Sequence, residues 1–161
     1  MIDQTTHDKT LTTCLWFDGQ AEEAARFYTE PFGGTTDDRT DYPADAPGEE
    51  GSAMTVDFEI FGQRFVGLNG GPMYSFTEAI SFQIPCETQA EIDRYWDALT
   101  ADGGEEGPCG WCKDKFGVSW QVIPSRMGEW FGGDNAAQVN QVMQQMRKLD
   151  IAALQQAADG A

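Results

Sequence analysis

Apolar residues alternate with polar ones in two clear stretches of this chain, and each stretch predicts a β-strand. In residues 52–60 (SAMTVDFEI) the alternation is strict. One face of that strand carries Met54, Val56, Phe58 and Ile60. Residues 118–123 (VSWQVI) show a similar alternation. There the predicted apolar face carries Val118 and Trp120 with Val122, and the other face carries Ser119, Gln121 and Ile123. Phe61-Gly62-Gln63 and Phe116-Gly117 are predicted as hairpin turns.

Two other stretches have the spacing of amphipathic helices. The first follows Asp18, which we expect to be its N-cap, and it ends before Gly33-Gly34. Its predicted buried stripe is Ala21, Ala24, Ala25, Tyr28 and Phe32. The second begins after Thr88, which has capping-box spacing with Glu91 in the first turn, and it ends at Gly103-Gly104. Its predicted stripe is Ile92, Tyr95, Trp96 and Leu99.

The two helical stretches belong to a repeated unit. Each follows an apolar strand-like run, contains the triplet Gln-Ala-Glu (20–22 and 89–91) and is followed by further strands. The order β-α-β-β-β therefore occurs twice, which predicts an α+β fold with modules at 11–71 and 78–124. Residues 39–51, acidic and rich in proline and glycine, are predicted to form a mobile loop after a short second strand. Such modules can pair into a curved sheet or half-barrel.

The chain becomes helical again after Pro124, so residues 125–161 are predicted to be a helical extension, and residues 1–10 a flexible N-terminus. An apolar stripe consists of Val139, Val142, Met143 and Met146. Asp150 is expected to cap a last helix that carries Ile151 and Leu154. The stripe could cover a cavity mouth or pack on a second subunit, and the sequence leaves both possibilities open.

Charge narrows the choice of partners. The chain has 27 acidic and 10 basic residues, a net charge of −17. Such a charge repels phosphate backbones and anionic lipids, so neither nucleic acid nor a membrane is expected as a partner. Because the acids are dispersed and lysines are few, adaptation to high salt is the favoured interpretation of the acidity. No basic segment followed by an apolar run opens the chain, so a cytoplasmic location is expected.

The four cysteines, Cys14, Cys86, Cys109 and Cys112, do not suggest a disulfide framework in such a chain. Cys109 and Cys112 have C-x-x-C spacing, but they precede a hairpin and not a helix, where a thiolate would be stabilised. We therefore expect ordinary strand residues, with a pocket thiol at Cys109 as the alternative. Trp111 is a pocket candidate, whereas Trp120 is expected to pack under a helix, and Lys113 and Asp114 to be solvated hairpin charges.

Several longer strings carry a family resemblance. LWFDGQAEEAARFY, FVGLNGGPMYSFTEAISFQIPCETQAEIDRYWDAL, the region around CGWCKDKFGVSWQVIP and the tail VMQQMRKLDIAAL resemble the PhnB-like branch of the vicinal oxygen chelate superfamily. The resemblance covers about Leu11 to Leu154. It implies a cup-shaped half-barrel of the glyoxalase/bleomycin resistance/dioxygenase type, a central cavity and a homodimer. Members often carry the label demethylubiquinone methyltransferase, but the sequence lacks the Gly-rich strand-to-helix turn of a nucleotide-type cofactor site.

The resemblance also implies where a metal would bind. Metal-dependent members place His or Glu on the first and fourth strands of each half. Here those places offer Thr12 or Thr13, residues 64–69 without any Asp, Glu or His, Ala79 beside Glu78, and Gln121. The only histidine is His7, near the N-terminus. Since a divalent metal needs three or four donors, no metal and no cofactor is predicted.

The sequence therefore predicts a metal-free protein that binds a small apolar or aromatic molecule in its cup. The candidate pocket residues are Gln121, Ser119, Gln83, Trp111, Cys109, Thr13 and Asn69. Three other functions compete with this one: a divalent-metal lyase or isomerase, a thiol-dependent protein that uses Cys109 and Cys112, and the methyltransferase of the family label. A dimeric scaffold with a filled core is a further alternative.

Overall fold

The computed structural model describes residues 10–160, so the expected flexible segment 1–10 lies almost wholly outside the described residues. The chain divides into two compact units, one ending at Ser75 and the other beginning at Phe76. The first contains β1 (Thr13–Phe17), α1 (Ala21–Phe32), β2 (Thr35–Asp41), β3 (Ala53–Ile60) and β4 (Gln63–Asn69). Its four-stranded sheet has the order β1-β4-β3-β2, with β1 parallel to β4 and the other pairs antiparallel.

Helix α1 packs on this sheet through the stripe that the sequence predicts. All five stripe residues are buried. Tyr28 of α1 stacks on Phe58, and Phe58 stacks on Phe65, at ring centroid distances of 5.7 and 5.1 Å. The helix ends at Gly33, whose positive φ of 71° is the conformation that glycine adopts most easily.

The expected N-cap of α1 is wrong. Gln20 occupies the N-cap position and its side chain makes no capping bond. The first free amide of the helix, Ala21 N–H, instead donates to Asn69 Oδ1 at 2.8 Å. Asn69 Nδ2 donates to Ala53 O at 2.8 Å, so this one side chain joins β3, β4 and the start of α1. A partner 48 residues away thus takes the role expected of Asp18.

The β2–β3 region differs from expectation, whereas the β3–β4 hairpin agrees with it. Phe61 and Gly62 have φ values of 50° and 76°, the positive pair typical of a two-residue type I′ turn. Strand β2 is not short: it has seven residues and extends to Asp41. All its side chains are exposed. Its hydrogen bonds to β3 hold it as a strand although it contributes nothing to the core.

The second unit repeats this topology. It contains β5 (Ser81–Cys86), α2 (Gln89–Thr100), a 3₁₀ turn (Ala101–Gly103), β6 (Glu105–Glu106), β7 (Trp111–Lys113) and β8 (Ser119–Pro124). The strand order is β5-β8-β7-β6, again with the first pair parallel and the others antiparallel. The prediction of an α+β fold built from two βαβββ modules is confirmed.

Helix α2 has the predicted capping box. Thr88 Oγ1 accepts the Glu91 N–H at 3.2 Å, and Glu91 Oε2 accepts the Thr88 N–H at 3.2 Å. The helix buries Ile92, Trp96 and Leu99, while Tyr95 stays half-buried. The opposing sheet face supplies Ile84, Cys86, Cys112, Trp120 and Val122, all buried.

The C-terminal extension forms α3 (Met127–Gly132), α4 (Ala136–Met143) and α5 (Ile151–Ala158) and belongs to the second unit. Asp150 caps α5 as predicted, accepting the Ala153 N–H at 2.9 Å. Of the predicted stripe, Val139 is fully buried and the rest is half-buried. No helix within residues 10–160 has the length and apolar character needed to cross a membrane.

The segment between α4 and α5 is tied to the module beside it. Cys109 N–H donates to Met146 O and Gly110 N–H donates to Arg147 O, both at 2.8 Å. Leu149 is fully buried. A Cβ on Gly110 would lie 2.9 Å from Leu149 Cδ1 and 2.8 Å from Val122 O, so only glycine fits this approach. We call residues 146–149 the C-terminal strap.

Candidate functional site

A cavity of about 390 Å³ lies in the second unit beside the edge formed by β6 and β7. Its lining is Glu78, residues 105–108, residues 111–113 and Ser119. We call it the β7 cavity. A second cavity of about 390 Å³ lies in the first unit and is lined by the loop after β2, the start of α1 and the end of β4. The β7 cavity contains two of the sequence-predicted residues, Trp111 and Ser119.

Strand register explains why polar side chains gather on one face of the second sheet. Trp111 is opposite Gln121 and Lys113 is opposite Ser119 in the β7–β8 pair. Gln83 is paired with Gln121 in the β5–β8 pair. Directly paired residues point to the same side of a sheet, so these five side chains share one face. The other face is the apolar one that packs on α2.

Ser119 has an unusual position on the polar face. Its side chain is buried, with only 2% of the residue exposed. Its Oγ makes no hydrogen bond within the described part of the chain. Nearly all buried hydroxyl groups in proteins have a hydrogen-bond partner, and an unmade bond costs free energy. Since Ser119 lines the β7 cavity, its hydroxyl is a buried polar group of that wall that is left without a partner among the described residues.

Gln121 and Gln83 are linked to each other. Gln83 Nε2 donates to Gln121 Oε1 at 3.2 Å, and Gln121 Nε2 donates to Ser81 Oγ at 2.8 Å. Neither glutamine is among the residues that line the β7 cavity. The pair fixes the amide orientation on this face, next to Ser119.

The cavity rim carries an ion pair that the sequence analysis did not predict. Lys113 Nζ binds Glu78 Oε1. The hydrogen bond between them raises the pKa of Lys113 and lowers that of Glu78. Glu105, opposite Lys113 on β6, also favours the charged ammonium and so raises its pKa further. Glu78 lies outside the strands, so strand periodicity carries no signal for this contact.

Asp114 holds the hairpin that presents Lys113 and Ser119, and the expectation of a solvated charge is wrong for it. The residue is only 2% exposed. Its Oδ1 accepts the N–H groups of Phe116 at 2.9 Å and Val118 at 3.1 Å, and its Oδ2 accepts Trp120 Nε1–H at 2.8 Å. The signal in the sequence was the Asp-x-x-Gly turn, whose first residue often binds the backbone of the turn.

Both cysteines of the C-x-x-C pair are free thiols, and they occupy different structures. Cys109 lies in the turn before β7, with a φ of 57°, followed by Gly110 with a φ of 83°. Cys112 lies on β7 with its side chain on the buried face. Burial, and then the charges of Asp114 and Glu106, raise the pKa of the Cys112 thiol to about 12. A thiol that stays protonated at neutral pH is a poor nucleophile and a poor metal ligand.

Thr13 and Asn69 belong to the first unit. Both are on the sheet face that packs against α1, because Thr13 pairs with Phe65 and Asn69 pairs with Phe17. The side chain of Asn69 is used by its bonds to Ala21 and Ala53. Its carbonyl oxygen accepts the hydroxyl of Tyr42. Asn69 lines the first-unit cavity, and Thr13 lines neither cavity.

Comparison with known proteins places this arrangement in a family. The family model described as 3-demethylubiquinone-9 3-methyltransferase matches residues 9–123. The PhnB protein of Bacillus cereus is 33% identical, with a TM-score of 0.64; the match covers 72% of this chain and 99% of that one. The chain belongs to this PhnB-like family. The family is part of the vicinal oxygen chelate superfamily, as the resemblance implied.

Two more distant structures have the same fold as this PhnB-like chain. Protein PA1353 from Pseudomonas aeruginosa is 21% identical over 72% of this chain and 97% of that one, with a TM-score of 0.59. A mutant of the fosfomycin resistance protein FosX from Listeria monocytogenes, complexed with Mn(II) and 1S,2S-dihydroxypropylphosphonic acid, is 18% identical. That match covers 72% of this chain and 91% of FosX, with a TM-score of 0.51. Among curated proteins, none matches this chain.

The superfamily includes metal enzymes, so we asked whether this PhnB-like protein has side chains that could hold a divalent metal. Within residues 10–160 no three His, Cys, Asp or Glu side chains are grouped so that they could share an ion. Gln121, at the place that the resemblance assigns to a glutamate ligand, is a neutral amide bonded to Gln83 and Ser81. His7 lies outside the described residues. The described side chains do not fit the three or four donors of a divalent metal site.

Proposed function

We propose that this PhnB-like protein binds a small organic molecule in the β7 cavity and works without a resident divalent metal. The observation that supports the proposal best is the buried hydroxyl of Ser119, which lines the cavity and has no partner. Trp111 supplies an aromatic wall, and the volume of about 390 Å³ is within the range of small-molecule sites. We assign Gln121 and Gln83 a supporting role: their mutual hydrogen bond orders the sheet face on which Ser119 and Trp111 lie.

The donor set supports the metal-free part of the proposal. The alternative is a glyoxalase-type lyase or isomerase that uses a divalent metal. The similarity to FosX is evidence for a shared fold and not for a shared metal. The methyltransferase label is less well supported. The β1–α1 connection, residues 18–20, has a single glycine and the β5–α2 connection, residues 87–88, has none, so neither resembles a Gly-rich cofactor loop.

A thiol-dependent reaction is also less well supported than simple binding. The pKa of Cys112 is about 12, and the side chain of Cys112 faces the core and not the polar face of the sheet. The four free cysteines of the described chain suit a reducing compartment, so we place the protein in the cytoplasm. We also propose a homodimer, because each unit exposes large apolar side chains, Leu11, Met73 and Tyr74 in the first and Ile80 in the second.

Metal analysis of protein purified without chelators or metal-affinity resins tests the claim that the protein holds no resident divalent metal. We expect well under 0.1 equivalents of zinc, nickel, manganese or iron, and no change in melting temperature on adding EDTA. Near-stoichiometric metal, or stabilisation by a micromolar divalent ion, would overturn it. Light scattering during size-exclusion chromatography tests the homodimer, and a monomer mass at micromolar concentration would contradict that part.

A further inference from the structure

The charges around the β7 cavity indicate which kind of molecule it takes. Three glutamates, Glu78, Glu105 and Glu106, and one lysine, Lys113, are among its lining residues; the Glu106 side chain lies on the α2 side of the sheet, with Cys112, and the Glu105 side chain lies on the Lys113 side. Lys113 is engaged by Glu78, so its charge is already balanced. An anionic ligand in this cavity would therefore be repelled by the net negative charge of the lining.

The three carboxylates are not equivalent. Glu106 Oε1 accepts Trp96 Nε1–H at 3.1 Å, and its Oε2 lies 3.7 Å from Arg147 of the C-terminal strap. Glu78 is held by Lys113. Glu105 is exposed and, among the described residues, forms no ion pair at contact distance; it lies opposite Lys113 on β6 and favours the ammonium charge only from farther away. Glu105 is therefore the carboxylate with charge left to offer.

An aromatic ring and a hydroxyl complete the site. Trp111 is half-buried and lies on the sheet face that carries Lys113 and Ser119. The face of an indole attracts cations and planar rings. The Ser119 hydroxyl can donate one hydrogen bond and accept two, and because its oxygen is shielded from solvent, a partner would have to reach it from the cavity that Ser119 lines.

We propose that the β7 cavity selects a small planar organic cation, such as an amidinium or a protonated nitrogen heterocycle. Its ring packs on Trp111, its charge faces Glu105, and one of its N–H groups donates to Ser119 Oγ. This specificity rests on the proposed binding function and adds the charge of the ligand to it.

Three probes of the same shape separate charge from shape: benzamidine, benzamide and benzoate, which are cationic, neutral and anionic at pH 7.5. Dissociation constants are measured by ligand-observed NMR titration of the full chain at low salt. For such small molecules we expect ~1 mM for benzamidine, with benzoate at least about 10-fold weaker and benzamide in between. The preference should shrink at 1 M NaCl, because salt screens exposed charges.

Two variants test the assigned residues. Glu105→Gln should lower the affinity for benzamidine to that for benzamide. The matched control Glu87→Gln changes an exposed glutamate outside the cavity lining and should leave the affinity for benzamidine unchanged. Ser119→Ala should weaken benzamidine about 2- to 10-fold, whereas Ser125→Ala should have no effect. Because Ser119 Oγ has no partner, Ser119→Ala should also unfold at the same or a higher urea concentration than wild type. A hydroxyl with a structural role would lower that midpoint instead.

The outcomes distinguish the two proposals. Tighter or equal binding of benzoate, or a cation preference that survives Glu105→Gln, overturns the charge assignment and leaves the binding function intact. Absence of binding by all three probes, with a melting temperature unchanged up to 20-fold above the expected ~1 mM, overturns both.

Discussion

Replacing Asp114 by asparagine removes one oxygen from a buried carboxylate that holds the β7–β8 hairpin. The amide oxygen of Asp114→Asn can still accept the N–H groups of Phe116 and Val118. Its NH₂ group would then face Trp120 Nε1–H, so two donors would meet where a 2.8 Å bond now exists. Losing one bond to a charged group and weakening two others should lower the free energy of unfolding by about 2–4 kcal/mol.

A double-mutant cycle isolates the indole bond from the rest. Trp120→Phe removes the N–H donor and keeps most of the ring, so Asp114→Asn should cost about 1–2 kcal/mol less in that background. Urea unfolding followed by circular dichroism gives all four free energies, provided that the m-value stays constant. Asp134→Asn, at an exposed aspartate, is the control and should change stability by less than about 0.5 kcal/mol. Equal losses in both backgrounds, or no loss from Asp114→Asn, would refute the role assigned to the carboxylate.

Three further changes have defined outcomes. Cys86 and Cys112, with pKa values of about 12, should resist iodoacetamide at pH 8 in the folded protein and react in urea. Since the unfolded thiols ionise first, near pH 9, stability should fall as pH rises from about 9 towards 12, and less steeply in Cys112→Ala. Gln89→Leu removes bonds to Leu149 O and Ile151 N–H and should cost about 1–3 kcal/mol in urea unfolding, unlike the exposed Gln138→Leu. Finally, the net charge of −17 should make the melting temperature rise by at least about 5 °C from 0.1 to 2 M NaCl, and a flat curve would contradict the high-salt interpretation.

Local periodicity was enough to predict the modules. The buried stripes of α1 and α2, the capping box at Thr88 and the two faces of β8 all follow from residues within one turn or one strand of each other. What the sequence did not reveal depends on distant partners. The amide of Ala21 is capped by Asn69, and the burial of Asp114 requires Trp120 to lie above it.

The candidate site was predictable to the same extent. Alternation along β8 placed Ser119 and Gln121 on the polar face, and pairing with β7 and β5 brought Trp111 and Gln83 to it. The ion pair between Lys113 and Glu78 joins a strand to a loop residue much earlier in the chain, and no spacing rule links the two. The missing partner of Ser119 is likewise a property of packing, which a sequence pattern does not contain.

The C-terminal strap has an evolutionary consequence. Its backbone carbonyls at Met146 and Arg147 receive the amides of the turn that begins β7, and backbone bonds of this kind are indifferent to side-chain identity. Substitutions of the Met146 and Arg147 side chains therefore leave these two bonds in place, whereas the buried Leu149 is constrained by packing. The side chain of Arg147, which lies beside Glu106, takes no part in these backbone bonds. Descendants of this protein could thus retune the electrostatic balance of the cavity from a tail residue, with every lining residue inherited unchanged.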